Sequence, residues 1–175
     1  MEYTYTNDRI LLISEDYVRQ NSNMEFNLEF QFIIKSIYDA QKLYIEPLLG
    51  TELYDKITYL VDNDTISGAT NYKTLLVNFI QPCLLNYTIL QAIPLIHFKM
   101  NNKSINKLNS TNSETSDLES IKYLQDYYKN IAEMYSNRIN RLLLNNTTLY
   151  PEYGQADGDD LSPSVDDYTC DIVFD

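Results

Sequence analysis

The chain has 175 residues, 44% of them hydrophobic, which suits one domain with a sizeable core. Its four glycines, five prolines and one histidine argue against a turn-rich all-β fold and exclude a metal site built from several imidazoles of one chain. The net charge of −12 makes tight binding to nucleic-acid phosphates an unfavoured function.

The N-terminal part predicts an irregular segment followed by a long helix. Residues 9–14 form a short extended candidate, and residues 15–18 a small helical turn. MEYTYTNDR lacks a basic region followed by an apolar one, so no secretory signal is expected. Residues 25–45 predict the first long helix, because apolar residues recur at spacings of three and four. These residues are Phe26, Phe30, Ile33, Ile37, Ala40 and Tyr44.

A rigid corner is predicted directly after this helix. Pro47 lacks an amide hydrogen and disfavours the α conformation at Glu46, so the helix is expected to end there. Gly50 can adopt a positive φ at the corner, and Thr51 is a suitable N-cap for a second helix over residues 51–61. That helix is expected to break in the turn-forming sequence DNDTISG.

Residues 74–98 carry no formal charge, so a membrane span must be weighed against a buried central helix. Two prolines, Pro82 and Pro94, and four Asn and Gln side chains argue against the span. Most of the polar residues fall on one side of a helical projection. The pattern therefore predicts a central helix that is kinked near the two prolines and surrounded by its neighbours, with no membrane involved.

Residues 101–116 are rich in Asn and Ser and predict an exposed loop. A last helix is predicted from Ser116 or Asp117 to about Leu144. Together these elements predict an all-α fold. Its architecture is expected to be a four-helix-type bundle with a kinked central helix, an irregular N-terminal segment and an extended C-terminal tail.

The C-terminal tail differs in composition from the helical region, which gives two predicted regions, 1–150 and 151–175. The tail holds eight of the 25 acidic residues and no Lys or Arg. It is not expected to fold alone, yet it ends in an alternating β-prone patch. The residues of this patch that we single out are Tyr168, Ile172, Val173 and Phe174. It could add a strand to another subunit or partner, or it could be disordered or fold back on its own bundle.

The sequence predicts no enzyme, metal site or cofactor. The acidic clusters at Asp62 and Asp157 fail the spacing of a calcium-binding EF-hand loop. Phosphate-binding glycine loops and nucleophile motifs are missing from the sequence. Cys83 and Cys170 have no metal-type spacing and fit a reducing cytoplasm.

The corner and its flanking helices follow the pattern AQ-x-x-Y-I-x-P-L-L-G-T-x-L-Y-x-x-I. The matching residues are Ala40, Gln41, Tyr44, Ile45, Pro47, Leu48, Leu49, Gly50, Thr51, Leu53, Tyr54 and Ile57. This pattern resembles the small helical head-to-tail connector proteins of tailed bacteriophages, also called adaptor or head-completion ring proteins. The resemblance extends through helix order and loop lengths over residues 11–149.

The resemblance implies a structural virion protein at the head-tail junction, assembled in the host cytoplasm. Such proteins form rings, commonly of twelve subunits, between the portal protein and the next tail or connector protein. DNA passes through the ring without specific binding. A ring requires two different complementary flanks on each subunit, which tyrosine-rich helix faces could supply.

On this interpretation two sets of residues matter. The first is the architectural corner, which comprises Pro47, Leu48, Leu49, Gly50 and Thr51. The second is a candidate interface in the 62–72 loop and the tail, which comprises Asp62, Asp64, Tyr72, Tyr168, Ile172, Val173 and Phe174.

Two alternatives remain at this stage. One is a soluble helical interaction module or regulatory subunit of a cytosolic assembly that forms no ring. The other is an enzyme with a metal site made of carboxylates alone, which would retain a stoichiometric divalent metal after purification.

Overall fold

A computed structural model describes residues 10–22, 30–101, 104–107, 118–155 and 160–163. The fold is all-α, as the sequence predicts, with one short hairpin among the described residues. The α-helices are α1 (Glu15–Asn21), α2 (Phe30–Ala40), α3 (Glu46–Leu49), α4 (Thr51–Asp62), α5 (Thr70–Leu75), α6 (Gln81–His97) and α7 (Leu118–Asn145). A 3₁₀ turn spans Ile66–Gly68, and the hairpin pairs β1 (Phe98–Asn101) with β2 (Ser104–Lys107).

The prediction that the first long helix ends at Pro47 is wrong. A first π segment, Gln41–Ile45, follows α2 and leads directly into α3, where Pro47 is the second residue. The amide of Glu46 donates to the carbonyl of Gln41, five residues earlier. A π turn is wider than an α turn, which relieves the contact between a proline ring and the carbonyl four residues before it. The helical path therefore ends at Gly50 instead.

A π segment that precedes a proline also occurs in the central helix. A second π segment, Leu76–Ile80, joins α5 to α6, and Pro82 is the second residue of α6. The amide of Gln81 donates to the carbonyl of Leu76. The irregularity expected near Pro82 is thus a π segment, whereas Pro94 lies inside α6 without interrupting it. Among the described residues, one helical stretch, Thr70–Ile96, meets the length and apolarity of a membrane span, as core helices of soluble proteins also can.

The core is centred on α6, which packs against α2 on one side and α7 on another. α6 and α7 are antiparallel, because Cys83 near the start of α6 contacts Ser136 in the middle of α7, whereas Asn71 before α6 contacts Tyr150 beyond α7. α4 contacts α3 and the 3₁₀ turn. The four-helix-type bundle remains a prediction in that detail.

The elements near the chain ends and the polar loop differ in part from expectation. Residues 10–14 form a bend rather than a strand, with Leu12 and Ile13 buried in the core, and α1 follows as a longer helix than the predicted turn. The expected loop over 101–116 is wrong where it is described, since Asn101 and Ser104–Lys107 belong to the hairpin. α4 and α7 lie within two residues of their predicted bounds.

Candidate assembly site

The corner between α3 and α4 is the place where the C-terminal tail meets the helical body. Gly50 is buried with φ 77° and ψ 157°, a conformation that is essentially restricted to glycine. A Cβ at this position would lie 3.0 Å from Cδ and Cγ of Pro163 and 3.2 Å from the carbonyl oxygen of Leu161. Glycine is therefore required both by the backbone conformation and by the close approach of the tail.

Thr51 fixes the tail through its backbone and its hydroxyl. Its amide donates to the carbonyl of Leu161 at 3.1 Å, and the amide of Leu161 donates to Thr51 Oγ1 at 3.0 Å. The expected N-cap role of Thr51 is wrong, because Gly50 occupies the N-cap position and makes no side-chain cap bond. The threonine hydroxyl instead satisfies a backbone amide 110 residues away in the chain.

The other corner residues are structural. Leu48 and Leu49 are buried in the core, and Pro47 is partly buried within α3. The predicted architectural role of the corner is consistent with these positions. What the sequence did not indicate is that the corner also receives the tail.

A buried glutamine next to this corner holds the N-terminal segment. Gln41, the first residue of the first π segment, is 0% exposed. Its Oε1 accepts from the amide of Leu12 at 3.0 Å, and its Nε2 donates to the carbonyl of Ile10 at 2.9 Å. Nε2 also donates to the Tyr54 hydroxyl at 2.6 Å. The amide side chain thereby pairs with the N-terminal segment as the backbone of a neighbouring strand would.

A second glutamine completes this attachment. Gln81, at the start of α6 just after the second π segment, donates from Nε2 to the carbonyl of Leu12 at 3.0 Å. Sequence reasoning missed the roles of Gln41, Tyr54 and Gln81. One sequence feature could have indicated the role of Gln41. It is an uncharged polar residue at the edge of an apolar stripe, beside Ala40 and Tyr44 in the corner pattern.

Tyr72, a predicted interface residue, also makes contacts within its own chain. Its hydroxyl donates to Glu152 Oε2 at 2.7 Å, and its ring meets that of Tyr150 edge-on at a centroid distance of 5.7 Å. Burial first, and then the hydrogen bond to the Glu152 carboxylate, raise the pKa of Tyr72 to about 12. Tyr153 is buried as well, so the described start of the tail folds back on its own body.

The remaining candidate interface residues fall into two groups. Asp62 and Asp64 are exposed at the end of α4 and in the following turn, where Asp64 has a φ of 54°. Asp tolerates this left-handed conformation better than most residues. The tail residues Tyr168, Ile172, Val173 and Phe174 lie outside the described residues.

Cys83 lies in a buried polar cluster between α6 and α7. Its Sγ is 3.4 Å from Ser136 Oγ, and the Tyr87 hydroxyl is 3.2 Å from the same oxygen. Burial raises the pKa of the Cys83 thiol to about 12, although the contact with Ser136 lowers it somewhat. A thiol held protonated and out of solvent is a poor nucleophile, so this cluster serves packing between the helices.

The outer face of α7 carries large apolar side chains that the described fold leaves in solvent. Tyr123 is 73% exposed, Tyr127 51% and Met134 50%. These three residues define the outer stripe of α7, which faces away from the core side of the helix. The core side consists of Ala132, Ser136, Ile139, Asn140 and Leu143.

Within the residues that the structure describes, no cluster of three or more His, Cys, Asp or Glu side chains could hold a metal ion. Residues 45–160 match the model of a protein family described as a family of unknown function (DUF6712). The match begins at the corner and ends where the tail reaches it. Comparisons with curated proteins and with solved structures find no match.

Proposed function

Because the chain belongs to the DUF6712 family, whose function is unknown, we propose a function from its own residues: a structural subunit of a head-to-tail connector ring in a tailed bacteriophage. In this role the chain binds other copies of itself to form the ring, and the portal protein binds on one side of that ring. The next tail or connector protein binds on the other side. The ring lies at the head-tail junction of the virion, and DNA passes through it.

The observation that carries the proposal is the outer stripe of α7. Single exposed apolar side chains are common on protein surfaces, but two tyrosines and a methionine on one helix face are typical of a contact surface. Tyr and Met are enriched at subunit interfaces because they combine a large contact area with adaptable or polar ends. The stripe therefore supplies one of the two flanks that a ring needs.

Charge and the corner pattern support the same role. A net charge of −12 disfavours retention of DNA, since each phosphate would meet more carboxylates than cations. The connector-like corner pattern carries no reactive group, and Gly50, Thr51 and Gln41 are engaged in internal contacts. These features favour a component that assembles over one that turns over a substrate.

The test is electron microscopy of the purified chain mixed with its portal protein. The proposal expects ring-shaped density on one face of the portal, with a matching subunit number. The variant Tyr127→Glu should weaken ring formation, whereas Leu149→Glu, at an exposed position beyond α7, serves as the matched control. Portal particles that never acquire added density would contradict the proposal and favour a soluble interaction module.

A further inference from the structure

The hairpin of β1 and β2 projects from the end of α6 as a two-stranded sheet. Its register pairs Phe98 with Lys107 and Met100 with Ile105. Among the described elements, α6 alone packs appreciably against β1, apart from the β2 partner strand. Isolated two-stranded hairpins are marginally stable in water and gain stability from a third strand or a covering helix.

A sheet of two strands has two outer edges, each with a row of backbone groups that point away from the partner strand. In the described part of the chain the sheet contains only β1 and β2. An extended segment can therefore pair with an outer edge through main-chain hydrogen bonds. Such pairing requires a β-prone segment of about the same length as the strands.

The C-terminal segment of this chain has the composition that the hairpin requires. Residues 98–107 contain three lysines and no acidic residue, whereas residues 164–175 contain four aspartates and no Lys or Arg. The stretch YTCDIVF within that segment alternates between apolar or aromatic and polar positions at its start and ends in β-prone residues. Opposite charge favours the encounter of the two segments, and β-propensity favours their pairing.

We propose that the C-terminal segment 168–174 of one copy adds as a third strand to the β1–β2 hairpin of the next copy. This inference rests on the proposed ring function and names the contact that links neighbouring subunits. The C-terminal segment and the hairpin are different parts of the chain, so the contact is head-to-tail and can close into a ring.

The attachment of the tail to its own corner limits how far the C-terminal segment can reach. Pro163 is held against Gly50, and the four residues that separate it from Tyr168 span at most about 18 Å. The ring function assigns the acceptor hairpin to the next copy, and this reach requires that hairpin to lie close to the corner of the donor.

Thiol crosslinking between two differently marked full-length chains tests this arrangement. The donor is the natural chain, whose Cys170 lies in the segment; its other cysteine, Cys83, is buried and its pKa is raised to about 12, so it does not compete. The acceptor carries Cys170→Ser with either Asn101→Cys in β1 or Asn106→Cys in β2, so that each edge is probed. A short bismaleimide is added to the mixed chains, first without the portal and then with the chains bound to portal rings. The linked peptides are identified by mass spectrometry.

The control acceptor carries Leu149→Cys with Cys170→Ser. Leu149 is 45% exposed and precedes Tyr150, which contacts Asn71 at the start of the helical stretch that ends at the hairpin. That stretch of 27 residues places the control thiol about 40 Å from the hairpin. We expect donor–acceptor crosslinks through one hairpin edge to exceed the control on the order of tenfold, because a bound segment has a high effective concentration. A free peptide of residues 164–175 carrying Cys170→Ser should suppress them.

Equal yields for hairpin and control acceptors, alone and on the portal, would overturn the inference. A chain that carries both Asn106→Cys and its own Cys170 should form linked dimers; a product linked only within one chain would overturn it too. Rings on the portal by electron microscopy without hairpin crosslinks would reject the strand addition while leaving the proposed function intact. Hairpin crosslinks without any ring would support the strand addition and reject the ring.

Discussion

Gly50 lies against Pro163 so closely that the space for a Cβ at the corner is filled by the proline ring, 3.0 Å away. The contact joins the start of α4 to a segment 113 positions later in the chain. It couples the corner to the direction in which the tail leaves the body. Substitution at Gly50 is therefore the most direct perturbation of the tail.

Gly50→Ala should destabilise the chain by about 2–4 kcal/mol. The alanine would suffer backbone strain, because the conformation is restricted to glycine, and its Cβ would clash with the tail. Urea unfolding followed by circular dichroism measures the change. Two other glycines separate the backbone strain from the clash. Gly154 also has a positive φ, 86°, but has open space around it. Gly68 has open space and an ordinary φ. Gly154→Ala should show the cost of a positive φ without a clash, and Gly68→Ala should show little. Equal effects at Gly50 and Gly154 would mean that the tail yields without cost.

Gln41→Leu should cost about 2–4 kcal/mol, since it leaves the Leu12 amide, the Ile10 carbonyl and the Tyr54 hydroxyl without their buried partner. Tyr54→Phe should cost less, about 1 kcal/mol, because one hydrogen bond is lost. The double variant should be less than additive, since both substitutions break the same bond. Gln155→Leu, at an exposed glutamine, is the control. An unchanged urea midpoint in Gln41→Leu would show that this network adds nothing to stability.

The Tyr72 phenol links stability to alkaline pH. Its pKa is raised from 10.0 to about 12, so the folded chain holds the proton more tightly than the unfolded chain. This contribution is complete below pH 10 and is lost as the pH rises towards 12. The urea midpoint should therefore fall less between pH 9 and pH 11 in Tyr72→Phe than in the natural chain. Some decline remains, because burial also raises the pKa of Tyr54, Tyr150 and Tyr153.

The variant Tyr59→Phe is the control for Tyr72→Phe, since Tyr59 is 62% exposed on α4. Its alkaline decline should match that of the natural chain. A Tyr72→Phe variant with the full natural decline would show that the bond between Tyr72 and Glu152 does not govern this pH range.

Cys83 should be inert to thiol reagents in the folded chain. It is 0% exposed and its pKa is raised to about 12, so the thiolate that reacts is scarce at pH 8. In the variant Cys170→Ser, a chromogenic disulfide reagent should detect essentially no thiol under native conditions and one per chain in guanidinium. Rapid native labelling would mean that α6 and α7 separate readily at this point.

Deletion of residues 168–175 should leave the monomer folded but impair its incorporation into particles. The described tail contacts all end at Pro163, so the helical body keeps its hydrogen bonds. Circular dichroism and unfolding measure the first expectation, and incorporation into particles measures the second. A matched variant that replaces Tyr168, Ile172 and Phe174 with serine tests the patch without shortening the chain. Undiminished incorporation in both variants would count against a docking role for the tail.

The sequence by itself determined the all-α class and the places of α4 and α7, because periodic apolar spacing is a local property that survives without tertiary context. It also marked Gly50 as the corner. Only the tertiary structure decided that Pro47 and Pro82 follow π segments inside continuous helical paths, since packing settles whether a broken hydrogen bond is rearranged or ends the helix. It likewise decided the partners of Thr51, Gln41 and Tyr72, which lie 110, 29 and 80 positions away. Hydrogen bonds between such distant residues leave no periodic trace in a single sequence, because they depend on where the helices come to rest.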